Sequence, residues 1–596
     1  MNAPESIAAV LSQEQKEYLQ GFTAGLAAAG ALPGAQPHVG VDAQGKLLAA
    51  PVAGIPNQAE PPTWFGWPVD EITREEQLKR EENPLDIWDK ILAHARDNKP
   101  PQAGDVYRFK FHGLFYVAPA QDAMMVRVRI PGNALSSLQM RALAGIAAEL
   151  GGGYGDVTTR GNIQIREIAP RHMVDVLTRL SDAALTSRGA GADNVRNITS
   201  SPLAGLDATE LIDTRPLARA LQFYLINNRD LYGLPRKFNV SFDGAGRISV
   251  LTDTNDIGFV ATRVVDDAGV AAGVYFRVFL AGITGHLRFA DDCGLLVAPD
   301  ECVAVAAAML RVFAEHGDRT DRKKARLCYL IDRLGVPGYL ERVQAKLAFP
   351  LRFLAVDRCL PRPPVDKHAH LGIHAQRRPG HSSIGIAIPV GRMQAEQMRA
   401  LAQLADDFGS GELRVTVWQN IILPDVPDEE IAAATAAIRT IGFDTGASTI
   451  TGCVVACTGN TGCRFSATDT KGQALLLARH LDERVRLDTA INIHLTGCPN
   501  SCAQHYIADI GLLGVQVPQG ERSIEGYHVY VGGGVEQQRG LGREIAKNIP
   551  FADLPSTLER LLQAYLEQRR PGEVFVDFAR RHDVEALRAY AGEPQT

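Results

Sequence analysis

The chain has 596 residues, 45% hydrophobic and 22% charged, with a formal net charge of −6. That length exceeds a single hydrophobic core and predicts several domains of ordinary soluble composition. The modest charge and the lack of a dense basic tract give no sign of nucleic-acid binding. No apolar run is long enough to span a bilayer, the N-terminus lacks a charged-then-apolar signal, and nine cysteines are an odd count, so a cytoplasmic protein with reduced thiols is expected.

In chain order, residues 12–29 read as a helix, with Tyr18, Leu19, Phe22 and Leu26 at helical spacing. Residues 30–62, rich in Ala, Gly and Pro, read as a linker, and 84–96 as a second helix. Beyond that point the chain repeats itself. Ile130-Pro131 recurs as Ile388-Pro389, and Gln139-Met140-Arg141-Ala142-Leu143-Ala144 recurs as Gln397-Met398-Arg399-Ala400-Leu401-Ala402. Further on, Asn239-Val240 matches Asn492-Ile493, and Asp256-Ile257-Gly258 matches Asp509-Ile510-Gly511.

Each copy reads strand, turn, helix, strand. Val126, Val128 and Ile130 alternate with Arg127 and Arg129 as on a half-buried strand, and Met140, Leu143, Ala147 and Leu150 mark one helix face. A collinear series of matches predicts an α+β, internally duplicated fold: two small αβ modules and two larger αβ lobes about a pseudo-twofold axis. The expected divisions are 1–105 (extension and linker), 106–185, 186–345, 346–440 and 441–596.

Two glycine-rich loops in the last division carry four cysteines, Cys457-x5-Cys463 and Cys498-x3-Cys502. Four thiolates suit iron–sulfur or zinc chemistry, although the five-residue gap is wider than zinc knuckles use; structural zinc and two disulfides stay as alternatives. The quartet occurs only in the second copy, and Arg160 falls opposite Trp418, so any site between the halves is asymmetric.

The segments ACTGNTGC and TGCPNSCAQHYIADIG, together with the duplication, resemble the sirohaem-containing nitrite and sulfite reductases from about residue 108 onward. The resemblance implies two ferredoxin-like half-domains and two sirohaem/Fe–S lobes. It also implies a 4Fe–4S cluster on Cys457, Cys463, Cys498 and Cys502, with Cys502 shared with sirohaem iron. Met125 to Arg129, Asp193 to Asn197 and Leu234 to Asn239 resemble the anion-binding segments, which puts Arg127, Arg196, Lys237 and Asn239 at the substrate. Alone, an arginine on an alternating strand is usually solvated, and only the resemblance selects Arg127 over Arg129. Arg160, Asn162, Gln164 and Arg166, with Arg322 and Arg326 on one face if 321–326 is helical, resemble the donors to the sirohaem carboxylates.

Asparagine at 239, where sulfite reductases of the family usually carry lysine, favours the monoanion nitrite over sulfite. The implied activity is the six-electron reduction of nitrite to ammonium by an assimilatory, monomeric oxidoreductase. Its donor would be ferredoxin or flavodoxin, since no GxGxxG or flavin module is present. Sulfite reduction is the nearest rival, and a non-catalytic zinc protein the rival from another class. Cys453 reads as a buried structural thiol.

Overall fold

The computed structural model describes residues 63–265, 269–446 and 450–592. The helix expected at 12–29 and the linker at 30–62 lie outside them. No helix among the described residues is long and apolar enough to cross a membrane.

The duplication is visible strand by strand. One lobe is a six-stranded sheet in the order Arg352–Phe353, Asp291–Val297, Gly273–Leu280, Ile257–Val264, Phe238–Asp243, Val195–Ser200. The other is five-stranded: Val454–Ala456, Ile493–Thr496, Ile510–Gln519, Arg522–Val531, Arg543–Pro550. In both, parallel pairs (Val240 with Ile257, Ile493 with Ile510) lead into antiparallel ones. Each lobe has its own core. In the first, the helix Cys302–His316 buries nearly its whole length, which its alanines and branched aliphatics permit.

The small modules are not separate. Ala134–Ser136, from the first copy, pairs with Glu412–Val415 of the second, Leu135 opposite Leu413. Reciprocally, Arg392–Gln394 joins the first copy's sheet, Met393 opposite Gly155. The exchange closes one hydrophobic core over both modules, with the helices Ser137–Leu150 and Ala395–Phe408 packed on each other.

The recurring motif has a structural reason in each copy. Gln139 Oε1 accepts from Ser136 N (3.0 Å) and Gln397 Oε1 from Gln394 N (2.9 Å), closing the first turn of each helix. The same side chains donate to Ala183 O and Ile441 O, at 3.2 and 3.1 Å. Gly151 and Gly409 end these helices where a Cβ would meet the carbonyl oxygens of Arg166 and Pro424, at 2.8 and 2.6 Å.

Three local expectations change. The strand carrying Arg127 stops at that residue, Ala123–Arg127, and Val126, Val128 and Ile130 are all fully buried. The helix expected at 84–96 begins at Trp88, because Asn83 Oδ1 accepts from Leu85 N (3.0 Å) and holds the preceding residues in a turn. Residues 321–326 form turns rather than a helix, fixed by Asp318 Oδ1 on Thr320 N (2.7 Å) and Asp321 Oδ1 on Lys323 N (2.8 Å).

One contact between the lobes yields a pH prediction. Glu536 N donates to the buried Asp253 carboxylate (3.2 Å), and Ser249 donates to Glu536. Burial, and then Glu536, push the Asp253 carboxyl up to about 7. Unfolded aspartate ionises near pH ~4, so the folded chain holds an extra proton above that pH. The stability tied to that proton is lost as pH rises through about 7. Asp253→Asn should therefore raise the melting temperature at pH ~8 by about 3 °C and leave it nearly unchanged at pH ~4, read by scanning calorimetry.

Candidate functional site

The cysteine loops leave two adjacent parallel strands. Cys457 follows Val454–Ala456 and donates its N–H to Leu495 O (3.0 Å); Cys498 follows Ile493–Thr496. The loops are then tied to each other: Ala467 N donates to Gly497 O (2.7 Å), and Gly497 N to the Cys457 sulfur (3.3 Å). Gly459 has φ +78, and at Gly497 a Cβ would lie 1.7 Å from Ser466 Oγ, so both glycines are required by the approach of chain to chain. Glu525 clamps the first loop from the neighbouring strand by accepting from Asn460 Nδ2 (2.6 Å) and Asp469 N (2.9 Å).

All nine cysteines are free, which removes the two-disulfide alternative. Among the described residues, no three His, Cys, Asp or Glu side chains converge on a position for a single metal ion. The four thiols nevertheless lie within electrostatic reach of one another, and Cys502 also within reach of Lys237. Cys453 is buried, and burial pushes its thiol up to about 12, consistent with an inert structural group. His505 is held by Ser501 Oγ at Nδ1 (2.9 Å), while burial lowers His494 to about 4 and His505 to about 3, leaving both neutral.

Cations surround Cys502. The Arg127 guanidinium lies over the Phe115 ring at 4.6 Å and donates to Ala190 O (3.3 Å). Arg196 donates to Ala190 O (3.2 Å) and Ala192 O (2.6 Å). Burial lowers Arg127 to about 10 and, with Arg127 beside it, Arg196 to about 9. Lys237 falls further, to about 7, through burial and then the fields of Arg326, Arg196 and Arg236, opposed by Cys502. Asn239 is oriented by its backbone N–H on Asp256 Oδ2 (2.8 Å), and its counterpart Asn492 donates identically to Asp509 (2.8 Å). In the second copy, however, Ala490 stands where Lys237 stands in the first, and Trp418, opposite Arg160, is stacked on His370 with centroids 4.9 Å apart.

The remaining expected residues separate into two groups. Arg160 projects toward Asn255 Oδ1 (2.6 Å), and its Nε is buried without a partner among the described residues. Arg326 is buried against Asp256 through two hydrogen bonds (3.2 and 2.7 Å). Arg166 turns to the cluster loop, donating to Gly462 O (3.1 Å), Thr458 Oγ1 (2.9 Å) and Gln164 Oε1 (3.0 Å). Asn162 accepts from Thr158 Oγ1 (2.5 Å) and so closes the turn that carries Arg160. Arg322 stands apart, its guanidinium held by both oxygens of Asp193 (2.8 and 2.9 Å).

Sequence reasoning missed the pairing roles of the buried Asp193 and Asp256. Arg129 does not share the surroundings of Arg127; it is buried against Gln222 Oε1 (3.0 Å) and Val195 O (2.8 Å). Thr159 Oγ1, also missed, donates to Cys502 O (2.9 Å) and ties the Arg160 turn to the fourth cysteine.

The pairing of a thiol quartet with a group of half-buried cations, at the junction of two modules and two lobes, is matched by known proteins. A family model described as the nitrite and sulphite reductase 4Fe-4S domain covers residues 191–351 and 450–595. A second, the nitrite/sulfite reductase ferredoxin-like half domain, covers 118–183 and 374–441. The chain belongs to the nitrite and sulfite reductase family. It is an oxidoreductase with the family's duplicated fold, 4Fe–4S domain and sirohaem.

A ferredoxin–nitrite reductase of Synechococcus elongatus is 35% identical over 504 residues, 83% of this chain and 96% of that protein. A ferredoxin-dependent sulfite reductase of Mycolicibacterium paratuberculosis is 31% identical over 471 residues, covering 78% and 83%. The NirA protein of Mycobacterium tuberculosis superposes with a TM-score of 0.80 at 27% identity, covering 87% of this chain and 98% of its own.

The residues present fit both groups. Four free thiols on glycine-rich loops are the donor set of a 4Fe–4S cluster. Nε atoms of Arg160 and Arg196 are buried without hydrogen-bond partners among the described residues, donors suited to a macrocycle bearing many carboxylates.

Proposed function

We propose that this chain reduces nitrite to ammonium with electrons from reduced ferredoxin. One nitrite, six electrons and eight protons give one ammonium and two waters. The observation that carries the reading is the charge beside Cys502: Arg127 and Lys237 lie within its electrostatic reach, Arg196 lies within reach of both, and a neutral Asn239 stands two residues from Lys237. The ferredoxin–nitrite reductases among the relatives support it.

Cys457, Cys463, Cys498 and Cys502 would hold the cluster, and Arg160 and Arg326 would hold the sirohaem carboxylates; when bound, these cofactors would supply the one-electron transfers. Arg127 and Arg196 attract and orient the anion and stabilise charge on the departing oxygen. Lys237, poised near neutrality, delivers protons to that oxygen and is reprotonated from solvent. Asn162 and Gln164 act indirectly, the first through the Arg160 turn, the second by holding Arg166. Arg322 balances Asp193. The electron donor is a small acidic ferredoxin or flavodoxin attracted by a basic surface.

Selectivity follows from charge. Asn239→Lys adds a fourth cation and should lower the nitrite-to-sulfite ratio of kcat/KM by about tenfold or more. The assay measures ammonium and sulfide from the two anions under reduced methyl viologen. A wild-type protein that makes sulfide faster than ammonium would overturn the nitrite assignment.

A further inference from the structure

Residues 63–112 precede the first residue that the half-domain model matches, 118, and nothing in their sequence marks a chemical role. The structure packs them behind the segment that carries Lys237. Lys79, in the helix Arg74–Glu81, is buried and donates to the carbonyls of Leu234 (2.9 Å) and Gly233 (3.4 Å). Its counter-ion Glu76 is fully buried too, and accepts from Trp64 Nε1 (2.9 Å) and Arg319 (2.6 Å). Arg319 in turn donates to the same Gly233 carbonyl (3.1 Å). Gly233 sits at φ +70, so two buried cations hold the carbonyls of a sharp bend three and four residues ahead of Lys237.

A second tie lies one layer nearer the pocket. Tyr107 Oη donates to Asp193 Oδ2 (2.7 Å), and Asp193 has Arg236 at 3.7 Å and Lys79 at 3.7 Å besides Arg322. Asp193 also begins the run that ends in Arg196, whose guanidinium folds back on Ala190 and Ala192. Burying a lysine, a glutamate and an arginine together costs more than an apolar core of the same volume. A network that only stabilised the fold would have no reason to end on the backbone of the anion-binding segments.

We propose that Lys79 and Tyr107 are positioning residues of the anion pocket. Lys79 fixes the bend from which Lys237 extends, and Tyr107 fixes the carboxylate that orders Arg236 and the Arg196 loop. Neither touches the anion. This inference rests on the reading that Lys237 and Arg196 meet the substrate, and it assigns the N-terminal segment a part in substrate affinity.

The test uses full-length holoprotein carrying Lys79→Met or Tyr107→Phe. Nitrite and, separately, sulfite are titrated against the Soret band, alongside iron content, melting temperature and steady-state kinetics. Displaced anion-binding groups should weaken affinity by about tenfold in Lys79→Met and by about threefold in Tyr107→Phe, with KM rising in step and Soret intensity and iron per chain unchanged. Variants that bind the anion as tightly as wild type overturn the proposal, even if they melt earlier. Tyr107→Phe alone decides the matter if Lys79→Met does not fold. Wild-type protein that takes sulfite but not nitrite refutes the substrate assignment, while the clamp is still read from the sulfite curves.

Discussion

Replacing Lys237 with methionine should cut nitrite turnover by about two to three orders of magnitude while both cofactor spectra persist. Methionine keeps the unbranched stem, one atom shorter, and removes the ammonium group with its protons. The lysine is unusual because burial and then the fields of Arg326, Arg196 and Arg236 lower it to about 7, so at neutral pH it both loses and regains protons. Wild-type kcat should therefore fall as pH rises through about 7, as the ammonium form is lost, and this limb should be missing from the variant. Stopped-flow reduction and a pH series on the purified variant check both statements. A variant that loses its Soret band would instead assign Lys237 to cofactor binding.

Changing Cys502 to serine should have a larger effect, abolishing activity to the background of the assay. An alkoxide is a harder and weaker iron ligand than a thiolate. Cys502 also interacts with both Arg127 and Lys237, and its carbonyl is held by Thr159 (2.9 Å). Cluster iron and sulfide should fall together with activity, and circular dichroism should show the protein folded, since the strands that carry the loops have their own core. Full activity in this variant would remove Cys502 from any role in electron delivery.

The legible part of the site was the part compressed into short segments. Two cysteine loops and the collinear repeats could be read because their chemistry and geometry are local. The strand exchange was not legible, because Ala134–Ser136 and Arg392–Gln394 are three residues long and choose their partners from opposite copies. Arg127 and Arg129 look equivalent by alternation, yet the strand ends between them and sends their side chains to different partners. Arg322 was assigned to the cofactor by its motif, whereas its pairing partner Asp193 lies 129 residues away. In the helix Arg74–Glu81, a mostly charged sequence conceals a buried pair, because tertiary contacts rather than composition decide which charges leave water.

Iron and acid-labile sulfide, assayed with the visible spectrum on anaerobically purified protein, bear most directly on the whole account. The expected result is about four inorganic sulfides per chain, about one iron in excess of them, and an intense Soret band. A colourless preparation containing zinc and no labile sulfide would contradict it, and nitrite reduction by this chain would have to be given up.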